Sequence, residues 1–122
     1  MEKAMELTAA VYNTTALFPR DEMFGLTNQL RRAAVSIASN LAEGRGRLTI
    51  REFLHFLGVA RGSTLEVQTQ LEVASMIGIG DPHHLKQTQR LAEETRRIIN
   101  AAITTTRSNL NSQHRPPNSL TP

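Results

Sequence analysis

The 122-residue sequence contains no cysteine, which excludes disulfide bonds and metal sites that use thiolate ligands. It contains no tryptophan, one tyrosine and four phenylalanines, so few rings remain to stack on nucleic-acid bases once a core has formed. No apolar run approaches the roughly 20 residues of a membrane-spanning helix, and residues 1–6 lack the pattern of a signal peptide. We therefore expect a cytoplasmic protein of one domain that has no membrane partner.

Lysine is also scarce, since twelve of the fourteen basic residues are arginine. Arginine forms paired hydrogen bonds with phosphate and carboxylate groups, so this composition favours interfaces and phosphate recognition. An arginine-rich proteome would produce the same bias, and the composition does not separate the two explanations. The charge is unevenly distributed: residues 20–61 and 83–107 each carry a net +3, whereas the charged residues of 62–82 are all acidic. Two basic helical regions therefore flank an acidic one.

No segment shows the alternation expected of a strand, and four segments show helical periodicity. The predicted helices span about residues 2–18, 26–44, 50–77 and 82–107. Pro19 ends the first helix, and Gly44 stands where a left-handed residue would close the second. Thr49 and Glu52 form a capping box ahead of the third helix, and Asp81-Pro82 begins the fourth.

The connections between these helices are short, which favours antiparallel neighbours. The sequence therefore predicts an all-α protein in which residues 1–107 form an up-down four-helix bundle. Residues 108–122 are polar, contain proline and show no periodicity, so we expect a disordered C-terminal tail.

Polar residues at helical spacing border the apolar face of the second and third helices. The two polar stripes comprise Gln29, Arg32, Ser36, Asn40 and Glu43 on the second helix, and Ser63, Glu66 and Gln70 on the third. Polar groups beside a core need hydrogen-bond partners, so we expect the stripes to face partners, with Arg32 paired to Glu66 or Glu43. A network that fixes the register between helices or subunits is the favoured interpretation. A catalytic carboxylate site is less well supported, because the stripes contain no histidine or cysteine, and we expect no enzymatic activity.

Metal binding has one sequence candidate, the Glu-x-x-His spacing of Glu52 and His55. A di-metal site needs that motif twice together with two further glutamates, and the fourth helix does not supply them. His83 and His84 are adjacent and would point in different directions from a helix. We therefore predict no metal and no cofactor.

Arginines mark the candidate nucleic-acid surface. Arg45 and Arg47 lie in a glycine-containing loop, which can expose backbone N–H groups to an anion. The full candidate set is Arg31, Arg45, Arg47, Arg51, Arg61, Arg96 and Arg97. Binding by these residues would be phosphate contact, sensitive to salt and tolerant of sequence. Two alternatives stay open: the loop is simply solvated, or the fourth-helix arginines pair with Glu93 and Glu94 at helical spacing.

Within about residues 5–78, a series of elements occurs in a fixed order. The elements are Phe18-Pro19, Gly25-Leu26, Gln29-x-Arg31-Arg32-Ala33, Ser36-x-x-x-Asn40-x-Ala42-Glu43-Gly44, Glu52-Phe53 and Gly62-Ser63-x-x-Glu66. Together they resemble the four-helix-bundle proteins encoded in intervening sequences of bacterial 23S ribosomal RNA genes. They are also similar to the accessory variability proteins of diversity-generating retroelements. Ala38 departs from the proline of many relatives, and the fourth helix and tail match poorly.

The resemblance implies a cytoplasmic, non-enzymatic bundle that assembles into a ring of five subunits. In the retroelement relatives the basic ring is thought to bind nucleic acid and a reverse transcriptase, and no retroelement association carries over to this chain. Five copies of a +3 chain would give about +15 on one particle, enough to attract a phosphate backbone. The expected function is an oligomeric scaffold with weak, sequence-tolerant, RNA-related binding to phosphates of RNA or DNA. The alternative is a structural module that binds a protein partner and no nucleic acid.

Overall fold

The computed structural model describes residues 1–113 and consists of four α-helices and one short 3₁₀ turn, with no strand in this range. Helix α1 spans Glu2–Thr15, α2 spans Leu26–Arg45, α3 spans Ile50–Ile77 and α4 spans Pro82–Gln113. The 3₁₀ turn, Arg20–Glu22, lies between α1 and α2. The predicted all-α class with four helices is confirmed. Within residues 1–113, no helix combines the length and the apolar character needed to cross a membrane.

Each helix packs against two others, so that α2 contacts α1 and α3, and α4 also contacts α1 and α3. Fully buried aliphatic side chains from all four helices fill the centre, among them Leu7, Leu30, Ile37, Leu71 and Ile99. Burial of one such side chain contributes roughly 1.5–3 kcal/mol of transfer free energy. The bundle therefore has a single core that its four helices share.

Threonine is unusually frequent in that core. Thr14 of α1 and Thr88 of α4 are buried, and their hydroxyl oxygens lie 2.7 Å apart in a hydrogen bond between the two helices. The buried hydroxyl of Thr64 donates to the carbonyl oxygen of Ala60, one turn earlier, at 2.8 Å. Such bonds satisfy a hydroxyl without a water molecule, which is why these polar side chains can occupy the interior.

Most helix ends follow the predicted signals. The Thr49 hydroxyl accepts a hydrogen bond from the Glu52 backbone N–H at 3.2 Å, and α3 ends at Gly78 in the left-handed conformation. At the start of α4, a carboxylate oxygen of Asp81 accepts from the His84 backbone N–H at 3.0 Å. These contacts satisfy backbone groups that a helix end leaves without partners.

The predicted role of Gly44 is wrong, because this residue lies inside α2 and does not end the helix. Helix α2 continues to Arg45, and the capping residue Gly46 has a right-handed backbone. Gly44 is buried, and a Cβ atom there would lie 3.0 Å from a ring atom of Phe53 and 3.1 Å from Cβ of Phe56. The glycine is therefore required by packing against α3 rather than by a left-handed turn.

Two other predicted ends are wrong. Helix α1 ends at Thr15, three residues before the predicted end, and buried Phe18 follows it in the connection. Helix α4 continues to Gln113, past the predicted end near residue 107. Thr106 is buried and Leu110 is half-buried, so the helical seam extends further, and the first proline beyond it is Pro116. Of the predicted disordered tail, residues 108–113 are helical, and residues 114–122 lie outside the described range.

The connection after α1 contacts the connection before α4. Gly80 has a φ of +78°, and a Cβ atom there would lie 2.7 Å from Cε1 of Phe18. Only glycine combines that backbone conformation with the space that the Phe18 ring occupies.

Candidate functional site

The polar stripes of α2 and α3 meet at the hydroxyl groups of Ser36 and Ser63. The Ser36 and Ser63 hydroxyl oxygens lie 2.9 Å apart, and Ser63 is only 7% exposed. The side-chain amide of Asn40 donates to the Ser36 carbonyl oxygen at 2.8 Å and to its hydroxyl oxygen at 3.0 Å. These bonds connect α2 to α3 through neutral groups whose hydrogen-bonding capacity is largely used within the protein.

The two serines line a groove of about 370 Å³, which we term the α2–α3 groove. It is lined by Asn28, Gln29, Arg32, Ala33, Ser36, Ser63, Glu66 and Gln70. Six of the eight predicted stripe residues thus line one surface. Asn40 is hydrogen-bonded to Ser36 beside it, whereas Glu43 is engaged elsewhere.

The predicted pairing of Arg32 is wrong. Glu43 forms an ion pair with Arg47, four residues later in the connection after α2, with 2.9 Å between Oε2 and Nη2. Arg32 and Glu66 line the same groove, yet within residues 1–113 neither side chain forms an ion pair. Both side chains are exposed, so water can solvate the two charges separately.

Gln70 is the one groove residue with an unsatisfied buried atom within the described range. Its Oε1 is shielded from solvent and receives no hydrogen bond, while its Nε2 lies 3.5 Å from Oε1 of Gln29. A buried acceptor without a donor costs about 1–3 kcal/mol. The groove is therefore not fully satisfied within the described chain, a property that the sequence pattern does not reveal.

Three of the seven candidate arginines are neutralised by acidic residues. Arg47 binds Glu43 and also lies over the ring of Phe56, with 4.7 Å between Cζ and the ring centroid. On α4, Nε of Arg96 and Nε of Arg97 lie 3.0 and 3.2 Å from Glu93. The structure therefore has the alternative in which Arg96 and Arg97 pair with an acidic residue of their own helix, Glu93.

The Glu93 carboxylate also joins α4 to α3. Besides the arginines, it accepts a hydrogen bond of 2.9 Å from the side-chain amide of Gln68. The hydrogen bond from Arg96, followed by that from Gln68, lowers the pKa of Glu93 from 4.5 to about 2. The same contact raises the pKa of the Arg96 guanidinium. Arg96 and Glu93 thus act as a structural pair at the surface.

Arg45, Arg51 and Arg61 are different, since none of them forms an ion pair within the described range. Arg45 and Arg51 are exposed on either side of the connection between α2 and α3, and Arg61 is half-buried. Their charges remain available to a partner.

Arg31 is held by two residues of α1. Its guanidinium carbon lies 4.6 Å from the centroid of the Tyr12 ring, in a cation–π contact. Its Nε donates to the Thr15 hydroxyl oxygen at 2.8 Å, and that hydroxyl in turn donates to the Val11 carbonyl oxygen at 2.7 Å. Arg31 forms no ion pair within residues 1–113. Sequence reasoning missed Tyr12 and Thr15, although their i, i+3 spacing places them on one side of α1.

Arg31 lies in a second groove, of about 500 Å³, which we term the α1–α2 groove. It is lined by Tyr12, Asn28, Arg31, Arg32, Val35 and Ser36. Arg32 lines both grooves, which therefore adjoin along α2. Among the described residues, the lining of the α1–α2 groove contains two positive charges and no acidic residue.

Among residues 1–113, no three histidine, aspartate or glutamate side chains lie close enough together to hold a metal ion. Glu52, half of the Glu-x-x-His candidate, provides the N–H that binds the Thr49 cap.

Comparisons with known proteins agree with the fold. The family model described as 23S rRNA-intervening sequence protein matches residues 1–101. The chain is similar to a crystal structure of a protein with unknown function from the S23 ribosomal protein family of Bacteroides thetaiotaomicron. The TM-score is 0.75, and the alignment covers 84% of this chain and 95% of that one. The sequence identity is 17%, so this likeness concerns the fold alone. No curated protein matches the sequence.

Proposed function

The chain belongs to the 23S rRNA-intervening sequence protein family, and on that basis we propose that it is a non-enzymatic, self-associating helical scaffold. We further propose that it binds the phosphates of RNA or DNA weakly and with little sequence preference, in the cytoplasm. The observation that carries this function is that the five arginines of α2 and α3, which are Arg31, Arg32, Arg45, Arg51 and Arg61, form no ion pair in the described chain. Uncompensated guanidinium groups attract phosphates through paired, charge-assisted hydrogen bonds.

We infer that neighbouring helices run in alternating directions. Between α1 and α4, Lys3 contacts Glu94 and Thr14 contacts Thr88, so the residue numbers fall on one helix as they rise on the other. Between α2 and α3, Ser36 meets Ser63, and Gln29 approaches Gln70. Both pairs of contacts support an up-down arrangement.

Self-association into a ring of five is the assembly that the resemblance implies, and the α2–α3 groove is our candidate for part of its interface. The groove holds the unpaired charge of Glu66 and the unsatisfied oxygen of Gln70. Val59, an exposed apolar side chain, lies on α3. A neighbouring subunit that covers this surface would satisfy the polar groups and bury the apolar ones.

The hydrogen bonding of Ser36 and Ser63 supports the proposal that the chain has no enzymatic activity. Ser36 and Ser63 hydrogen-bond to each other and to the neutral amide of Asn40. No hydrogen bond in the described chain joins either serine to a histidine or a carboxylate that could act as a base.

A salt series tests the nucleic-acid function. We expect the affinity of the full chain for an RNA oligonucleotide and for duplex DNA, measured by fluorescence anisotropy, to fall as salt rises. Replacement of Arg45, Arg51 and Arg61 together by alanine should reduce the affinity. The logarithmic salt slope should fall by about 0.7–0.9 for each phosphate that the variant no longer neutralises.

The matched control is the Arg96→Ala/Arg97→Ala double variant, which removes arginines already bound to Glu93 and should change the affinity much less. Light scattering on the same samples measures the subunit number. Binding that is absent at low salt, or that does not respond to salt, would exclude the proposed nucleic-acid function.

A protein-binding module without nucleic-acid binding is the second candidate, and the exposed apolar residues favour it. Phe24 is 93% exposed, Leu48 is 97% exposed and Met76 is 79% exposed. In that case the arginine variants would leave nucleic-acid retention unchanged or undetectable, and alanine at Phe24 or Leu48 would weaken capture of the partner protein.

A further inference from the structure

We propose that the α1–α2 groove is a binding site for one phosphate group, held by Arg31 and Arg32 with the side chain of Asn28. This inference deepens the proposed function and rests on it for the source of the phosphate, a phosphodiester of RNA or DNA. The recognition of the anion itself depends only on the groove and can be measured without nucleic acid.

The first argument is the fixed position of Arg31. The Tyr12 ring supports one face of its guanidinium, and the Thr15 hydroxyl accepts the hydrogen bond from Nε. Thr15 is itself buried and bound to the Val11 carbonyl oxygen, so it cannot move freely toward solvent. An arginine side chain loses considerable rotamer entropy when it binds a ligand, and here part of that loss has already occurred on folding.

The second argument is that the terminal N–H donors of Arg31 have no partner within the described residues. Its Nε is used by Thr15, whereas the two terminal nitrogens have no hydrogen-bond partner within the described residues. Those two nitrogens form the edge of the guanidinium that binds two oxygens of one phosphate or carboxylate. The contact with α1 therefore leaves the phosphate-binding edge available.

The third argument is charge. Arg32 follows Arg31 directly and lines the same groove, and Asn28 lies one turn earlier with an exposed amide. Within the described chain, the groove lining holds two cations and no acidic side chain. Two adjacent, uncompensated positive charges favour an oxyanion over a neutral or cationic ligand.

The fourth argument is size. The groove volume of about 500 Å³ falls within the range of roughly 300–1,000 Å³ for small-ligand pockets, which allows a phosphate together with its attached sugar. The other candidate arginines lack one of these features. Arg47 is bound to Glu43, and the guanidinium groups of Arg45 and Arg51 have no aromatic support in the described chain.

The site can be tested by NMR titration of the full chain with inorganic phosphate and, separately, with a short RNA. We expect both ligands to shift the Nε–H signal of Arg31 and the ring signals of Tyr12. Arg31→Lys keeps the charge but removes the paired donors and the stacked plane, so we expect it to weaken both affinities about tenfold. The matched control Arg90→Lys makes the same chemical change at an exposed arginine of α4 that lines neither groove, and it should alter them less than about twofold. Circular dichroism checks that both variants remain helical.

The possible outcomes separate the two proposals. Phosphate binding at Arg31 without RNA binding would keep the site and remove the nucleic-acid function. RNA binding that responds equally to Arg31→Lys and Arg90→Lys would keep the nucleic-acid function and overturn the site. The proposed phosphate site would also be overturned if an acidic peptide of matched charge bound this groove more tightly than phosphate and RNA. The site is supported if Arg31→Lys lowers the affinity for both phosphate and RNA and the control variant does not.

Discussion

Two segments of the chain place a pair of arginines at the same spacing and give them opposite roles. On α2 the segment is Asn28-Gln29-Leu30-Arg31-Arg32, and on α4 it is Glu93-Glu94-Thr95-Arg96-Arg97. In each, the arginines follow the first residue by three and four positions, which places all three side chains on one face of the helix. The first residue is glutamate on α4 and asparagine on α2.

The difference at this first position corresponds to the state of the arginines. On α4, Glu93 binds both guanidinium groups, and Gln68 of α3 adds a third hydrogen bond to the carboxylate. The charges are used to hold the surface of the bundle together. On α2, neutral Asn28 leaves Arg31 to bind Tyr12 and Thr15, which are both uncharged. A count of arginines therefore overstates the charge that a ligand can meet, and the acidic residue one turn earlier is the better guide.

The largest expected effect comes from making α2 resemble α4. Asn28→Glu places a carboxylate three and four residues before Arg31 and Arg32, where it would compete with phosphate for both guanidinium groups. We expect the affinity for RNA, measured by anisotropy at low salt, to fall about tenfold or more and the salt slope to decrease.

The control for that change is Asn28→Gln, which keeps the amide and adds no charge, and it should lower the affinity much less than Asn28→Glu does. Equal affinities for the two variants would contradict the role assigned to the α1–α2 groove.

A smaller effect is expected from the reverse change on α4. Glu93→Gln releases Arg96 and Arg97, so their charges become available to phosphate and the RNA affinity should rise by about two- to fivefold. Glu72→Gln raises the net charge by the same amount but lies on α3, where Glu72 forms no ion pair within the described residues. If both variants increase the affinity equally, net charge and not arginine release is responsible.

The smallest effect concerns stability in acid. The pKa of Glu93 is lowered on folding to about 2, so its ionised form favours the folded state. That contribution is fully present above the ordinary pKa of 4.5 and is lost as the pH falls toward about 2. Urea unfolding across this range should therefore show less loss of stability for Glu93→Gln than for the unchanged chain. Glu72→Gln should follow the unchanged chain, and a Glu93→Gln curve that does the same would exclude this linkage.

Local signals in the sequence predict much of the fold. The Thr49 cap and the start of α4 at Asp81-Pro82 agree with the prediction because each involves residues close together in the chain. The prediction for Gly44 is wrong because the reason for a glycine there is contact with Phe53 and Phe56, which become neighbours only after α2 packs on α3. The predicted end of α4 is too early because polar residues near the end of a helix carry no strong stop signal before Pro116.

The same distinction applies to the candidate site. Helical spacing suggests the pairing of Arg96 and Arg97 with an acidic residue of their own helix, which is what Glu93 provides. The support of Arg31 by Tyr12 and Thr15 joins residues of two helices, and no spacing rule within one helix could reveal it. Arg32 and Glu66, predicted to pair, share a groove without forming an ion pair in the described chain, because both side chains remain exposed to water.

The contact between Phe18 and Gly80 has a consequence for how the chain unfolds. Helix α1 is held at its C-terminal end by a ring that occupies the space beside the turn leading into α4. The N-terminal helix can separate from the bundle only if the Phe18 ring leaves this contact. We therefore expect amide hydrogens of α1 to exchange with solvent together with those at the start of α4, as one cooperative unit.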